Sequence, residues 1–446
     1  MNVKMLTTCM AVLLLTMGCD DDDTTSVPIQ TSFEVRIENV STLHDFGASG
    51  VFNTPVGAAA PAPIGPGEAY EFSFSAAPGS KLSFATMFVP SNDFFYAPGP
   101  AGIALFENDG SQVTGDVTSQ VMLWDAGTEV NQEPGLGLDQ AQRQGGPDTG
   151  ADDADNTVRL ASDDFNNLPA VAEVLKVTLS VTGETNFTLR IENLSTGQTL
   201  MTSDGGMQSV PLAPGVWVVH TGDAPTFSTG QVDLGEGLEA LAEDGDPSSL
   251  AASLAASTGL TVPLSPGVWA VHTSDGPLFE AGQPDRGVGL EALAEDGDPS
   301  QLAADLDNRS GVEASGAFTM PVGHSMAGVI LPGQAYVFTV SAEPGAMLSF
   351  ASMFVQSNDL FYAPDVAGID LFSSSGSPVS GNMTAQVRLW DAGTEVNEEP
   401  GIGLNQAPRQ SGPNTGAAEN GNVRLVNDGY SYPDVASVIR VTITPM

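Results

Sequence analysis

Cysteine is almost absent. The 446 residues contain two, Cys9 and Cys19, so no disulfide can staple the rest of the chain. Lysine is nearly as scarce, with Lys4, Lys81 and Lys176 as the complete set. There are 13 basic residues against 55 acidic ones, a net charge of −42. A chain so negative is repelled by nucleic acid and by anionic lipid headgroups. The same balance favours cationic ligands and divalent metals. The apolar run at residues 5–17 is too short to span a bilayer. No phosphate loop, cysteine nucleophile or zinc signature is present. What is present is an ordinary hydrophobic share of 41%, as in a folded chain and not a disordered acidic tail. The length suits two or three domains.

Residues 1–19 read as a targeting segment, with Lys4 before the apolar run. It closes on Leu15-Thr16-Met17-Gly18-Cys19 and an acidic Ser/Thr linker at 20–30. This resembles a bacterial lipoprotein signal, in which Cys19 becomes the lipidated first residue. Leu15 sits one place further from the cysteine than the usual pattern. An ordinary secretory signal is the alternative, and both readings export the chain. The expected location is the bacterial cell envelope or cell surface, with membrane contact through the lipid anchor alone.

The body of the chain is repetitive. Val121-Met122-Leu123-Trp124-Asp125-Ala126-Gly127-Thr128-Glu129 returns 266 residues later (387 − 121), as Val387 to Glu395. Upstream of each lies a second shared patch, Met87-Phe88-Val89-Pro90-Ser91-Asn92-Asp93 and Met353-Phe354-Val355-Gln356-Ser357-Asn358-Asp359. The phrase Phe33-Glu34-Val35-Arg36-Ile37-Glu38-Asn39 recurs as Phe187-Thr188-Leu189-Arg190-Ile191-Glu192-Asn193. These offsets suggest two units, 31–183 and 184–446, the second carrying an insertion at 211–306. The insertion is itself a tandem repeat. Val216-Trp217-Val218-Val219-His220 matches Val268-Trp269-Ala270-Val271-His272, and Leu238-Glu239-Ala240-Leu241-Ala242-Glu243 matches Leu290 to Glu295.

Short segments of alternating polarity, separated by Gly, Pro, Asn and Asp, predict antiparallel strands. The fold class is therefore all-β, with an antiparallel β-sandwich in each unit. Helices are expected only in the insertion. Gly245 and Gly297 end the first of each pair, and Asp246-Pro247 and Asp298-Pro299 supply N-cap and N1 of the second. The Gly-rich loops at roughly 130–157 and 396–422 are long for a compact domain.

Each unit places one acid after an apolar run and two acids four residues apart beyond a tryptophan. These are Asp93, Asp125 and Glu129, then Asp359, Asp391 and Glu395. Gly127 or Gly393 would let the chain turn so that the carboxylates face one ion. Calcium takes 6–8 oxygen ligands, and zinc is disfavoured without nearby cysteine or histidine. One calcium per domain is the expectation, against the plainer reading of solvated loop acids. Asp148 is the weaker candidate because its counterpart is Asn414.

The Ser-x-Asp patch with Trp-Asp-Ala-Gly-Thr-Glu resembles the spondin domain, the β-sandwich module of the F-spondin matrix proteins that also occurs in bacterial exported proteins. The resemblance covers nearly all of the mature chain as two domains. It implies C2-like sandwiches, calcium on those six acids, and a surface or matrix partner in adhesion. The chain departs from the animal pattern in its final Glu and in lacking the family's cysteines and thrombospondin-type repeats. The first unit also lacks the Val-Trp-x-Val-His and helical region altogether, as a trimmed version would.

An enzyme is not expected. The rival is a secreted hydrolase using Ser325 or the clustered carboxylates. Gly323-His324-Ser325-Met326-Ala327 resembles a nucleophile elbow, but its fifth place is Ala327 and a turn follows instead of a helix. His220, His272, Trp217 and Trp269 are expected to be packed core residues more than ligands or a sugar platform. Trp124 and Trp390 are expected to pack beneath the metal loop.

Overall fold

A computed structural model describes residues 30–446. The targeting segment at 1–19, Cys19, and all but the last residue of the linker at 20–30 lie outside the described residues. The architecture is all-β, built from antiparallel sheets with few helices.

Strand pairing does not follow the expected boundary at 183/184. Asn186–Asn193, expected to open the second unit, lies between Ala69–Ser75 and Leu175–Val181, antiparallel to both. Its sequence twin Thr31–Asn39 lies between Ala335–Ala342 and Ile439–Pro445, at the far end of the chain. The tandem repeat divides the same way. Leu212–His220 pairs with Phe46–Phe52 and Lys81–Phe88. Leu264–His272 pairs with Val312–Phe318 and Met347–Phe354.

Residues 46–256 therefore hold one whole sandwich, and the second is assembled from 31–39 together with 264–445. The segment 211–306 is not an insertion in one domain, and the first sandwich is not trimmed. Each sandwich takes one Val-Trp-x-Val-His strand and one helix pair. Offsets reveal which segments are alike, but not the sheet each joins. The hairpin at 181–187 decides the matter locally: Val181 pairs with Phe187 across a short connection, and such neighbours pair antiparallel by default.

Each sandwich has three layers. A four-stranded sheet packs on a seven-stranded one. In the first, Phe74, Phe187 and Ile191 meet Phe84, Phe88 and Tyr96. In the second, Val35, Tyr336 and Ile443 meet Phe350, Phe354 and Tyr362. The helix pair covers the other face of the larger sheet, with Leu238, Leu241 and Leu250 on Val216, Phe95 and Trp124. The equivalent layer sets Leu290, Leu293 and Leu302 on Val268, Phe361 and Trp390. This explains two sequence patterns. Lys81–Phe88 and Phe94–Pro98 are covered on both faces and are almost continuously buried. Thr31–Asn39 has one covered face and alternates from Phe33 onward.

Asn39 and Asn193 close the two strand ends alike. The Asn39 amide donates to the carbonyls of Val262 and Ile330, and that of Asn193 to those of Ile64 and Val210.

The helices run Leu238–Asp244, Ser248–Ala256, Leu290–Asp296 and Ser300–Leu306. Gly245 (φ 69°) and Gly297 (φ 68°) end the first of each pair in the left-handed region. The second helices start one residue later than expected. Asp246 and Asp298 still accept the N–H of Ser248 and Ser300, at 2.9 Å each. Two further single turns, Val171–Val174 and Val435–Val438, lead directly into strands.

Candidate metal centre

The site is built at one end of the larger sheet, where two turns meet. Ser91 shapes the first turn: its hydroxyl donates to the Phe88 carbonyl at 2.7 Å and accepts the Phe94 N–H at 3.0 Å. Ser357 repeats this at 2.6 and 3.0 Å. Phe94 is the register partner of Asp125, so Asp93 lies beside the Trp-Asp-Ala-Gly-Thr-Glu turn. Asp93 Oδ2 accepts the N–H groups of Thr128 and Glu129, both at 3.2 Å. Asp359 Oδ2 accepts those of Thr394 and Glu395 at 3.0 and 3.1 Å. Gly127 and Gly393 hold φ of 74° and 71°, and a Cβ on Gly127 would stand 2.6 Å from the Thr157 carbonyl oxygen. Glycine is required there on both counts.

All six expected acids are buried, none more than 3% exposed. Their carboxylates do not form single trios. Asp93 and Asp125 face one another, as do Asp359 and Asp391; in the second sandwich Glu419 joins them, with oxygens within 4.8 Å of one another. Asp125 has both oxygens engaged. Oδ1 accepts the Gly127 N–H at 2.7 Å, while Oδ2 receives Asn131 and Arg159, each at 2.8 Å. Asp391 is held the same way by Gly393, Asn397 and Arg424.

Glu129 turns away from this pair. Its Oε1 accepts the Gly150 N–H at 2.5 Å, and a Cβ on Gly150 would lie 2.1 Å from the Glu129 carboxyl carbon. Glu129, Asp148 and Glu243 offer oxygens within 4.8 Å of one another. Glu395 likewise accepts the Gly416 N–H, at 2.8 Å. The expected trio is thus divided between two neighbouring carboxylate groups.

Several partners escaped the sequence reading. Arg159, Arg424, Asn131, Asn397 and Glu419 lie within or just past the long loops. Glu243 and Glu295 come from the helices, and are 2% and 1% exposed. The available signal was the exact recurrence of Leu-Glu-Ala-Leu-Ala-Glu in a helix whose leucines face the core.

Crowding resists ionisation. Burial, then the charge of Asp125, pushes the Asp93 carboxyl up to about 8. Burial, then Asp391, pushes Asp359 up to about 7. Burial does the same for Glu243 and Glu295, each to about 8. Asp125, Glu129, Asp391 and Glu395 are raised as well, again by burial first.

Against this background, several buried oxygens have no hydrogen-bond partner. In the first sandwich they are Asp93 Oδ1, Glu129 Oε2, Asn131 Oδ1 and Glu243 Oε1, with the Thr128 hydroxyl beside Glu243 as its one neighbouring side-chain donor. In the second they are Asp359 Oδ1, Asn397 Oδ1 and both Glu295 oxygens. Each buried acceptor without a donor costs about 1–3 kcal/mol. A hard cation is the species that satisfies many oxygens at once, and an all-oxygen set suits calcium over zinc.

No family model matches the chain, and no curated protein matches it.

The other singled-out residues have ordinary roles. His220 and His272 are buried. Their Nδ1 atoms lie 2.7 Å from the carbonyls of Gly222 and Ser274, and their Nε2 atoms 2.9 Å from the hydroxyls of Ser83 and Ser349. An Nδ1–H tautomer satisfies both contacts, and burial lowers both pKa values. Trp217 stacks on Phe72 and Trp269 on Phe338. Trp124 and Trp390 pack on Phe227 and Phe279, with centroids 4.8 Å apart in each pair, on the helix side of the sheet. Ser325 lies in an exposed loop with no helix after it.

Proposed function

We propose that the chain is an exported, lipid-anchored calcium-binding protein of spondin-like type, acting by binding and not by catalysis. Asp93 in the first sandwich and Asp359 in the second would hold the ion, while Glu129 and Glu395 belong to the neighbouring carboxylate groups. Asp125 and Asp391 would shape the turn and face the ligands. The observation that carries this reading is the recurrence of buried acceptor oxygens without donors at Asp93 and Asn131 in the first sandwich and at Asp359 and Asn397 in the second. Bound calcium supplies the positive charge that the crowded carboxylates lack. The chain's own residues fix the geometry, through the amides of Thr128, Glu129 and Gly150 and their counterparts. An ordered loop surface would then face a surface or matrix partner. Cys19 would tether the molecule to a membrane.

Thermal unfolding of the mature chain, with calcium and with chelator, tests the metal reading. A ligand that binds only the folded state adds about 2.7 kcal/mol at a hundred times its Kd. For sandwiches of this size that is a rise of roughly 5–10 °C. Equal midpoints in calcium and chelator would contradict the reading.

A further inference from the structure

The turn acids do not account for every buried carboxylate oxygen. Glu243 comes from Leu238–Asp244, is 2% exposed, and has no partner for Oε1. Glu129 is 3% exposed and has none for Oε2. Asp148, on the exposed loop, brings a third oxygen within 4.8 Å of both. The nearby Arg159 is committed elsewhere, at 2.8 Å from Asp125 and 2.6 Å from Asp153. A cavity of about 270 Å³, bordered by Asp148, Asp233, Glu239 and Glu243, opens the group to solvent. One wall of that cavity is again unpartnered, at Asp233 Oδ1.

We propose that Glu129, Asp148 and Glu243 form a second divalent-cation position in the first sandwich, suited to calcium and distinct from the Asp93 position. This rests on the reading that the buried acids of these turns hold calcium. The two positions share Glu129 as a neighbour but draw on different elements. The Asp93 position joins two sheet turns. The Glu243 position ties the helix layer to the long loop, so calcium there fastens a helix to a segment that otherwise touches it through single side chains such as Gln144 on Asp244.

The two sandwiches are then unequal. At the place of Asp148 the second has Asn414, in the same left-handed backbone region (φ 50° and 58°). The Asn414 side-chain amide donates to Glu291 at 2.9 Å. One carboxylate is lost, and affinity at such sites follows the number of charged ligands. Calcium therefore fills the helix position of the first sandwich at lower concentration than its counterpart.

Calorimetric calcium titration of the mature chain tests this, with Asp148→Asn, Glu243→Gln, Asn414→Asp and, as control, Asp93→Asn. Asp148→Asn installs the residue the second sandwich already carries at that backbone conformation, so the fold tolerates it. The expected result is one binding event weakened on the order of tenfold or more in Asp148→Asn and in Glu243→Gln. That event survives in Asp93→Asn, which loses a different one. Asn414→Asp strengthens one event in the second sandwich. Wild-type titrations for both Asp148→Asn and Glu243→Gln, with an event still lost in Asp93→Asn, would overturn the helix position and leave the turn site standing. No calcium binding by the wild type would overturn both.

Discussion

Removal of Thr31–Asn39 is expected to unfold the second sandwich and leave the first folded. The strand is an interior member of its sheet, hydrogen-bonded to Ala335–Ala342 on one side and Ile439–Pro445 on the other. Phe33, Val35 and Ile37 are fully buried in that core. Truncating a single such side chain costs about 2–5 kcal/mol, and a whole domain is stable by only about 5–15 kcal/mol. Losing three, together with two ladders and the Asn39 latch, exceeds that margin. The first sandwich fills the same place with its own Asn186–Asn193. Hydrogen exchange would show protection lost across 264–445 and kept across 46–256. Protection kept in both regions would mean the first strand is dispensable.

Asp93→Asn combined with Asp359→Asn is expected to change sign with calcium. In chelator at about pH 9, above the raised values of both groups and so with both carboxyls ionised, the double variant should be more stable than the wild type. Asp93 Oδ1 and Asp359 Oδ1 have no donor, and each carboxylate is repelled by its neighbour, Asp125 or Asp391. The asparagine keeps an oxygen to accept the amides of Thr128 and Glu129, removes the charge, and offers an N–H to a cluster of acceptors. Relief of about 1–3 kcal/mol per site follows, a rise of roughly 2–4 °C for each kcal/mol. In calcium the order reverses, because the wild type alone gains the ligand's contribution. Calorimetry in both buffers reads the crossing. A double variant less stable than the wild type in chelator would mean that the carboxylates are already satisfied without an ion.

Local chemistry was legible in the sequence. Period-two alternation marked Thr31–Asn39 and Asn186–Asn193, and Gly-Asp-Pro-Ser marked the break between paired helices, because both signals arise within a few residues. Membership of a sheet was legible for Asn186–Asn193 alone, through its short connection to Leu175–Val181, and not for Thr31–Asn39. Thr31–Asn39 and its twin differ in their partners, not in their own pattern, and partners such as Val340 and Ile443, far along the chain from Phe33 and Val35, leave no trace in a short window. The site divides in the same way. The Ser-Asn-Asp turn and the Trp-Asp-Ala-Gly-Thr-Glu turn lie together through one register, Phe94 opposite Asp125. The direction of the Glu129 side chain depends on Gly150 and on a helix beginning at Leu238. Asp148 has Asn414 as its counterpart, but the two positions are not equivalent: Asp148 stands with Glu129 and Glu243, while Asn414 donates to Glu291.

The central claim is that the unpartnered buried oxygens are ligands. Anomalous diffraction from crystals of the mature chain grown in calcium tests it most directly. The account predicts a calcium peak against Asp93 Oδ1 and another against Asp359 Oδ1. Crystals without either peak, in which water or amide donors reach those oxygens, would contradict it.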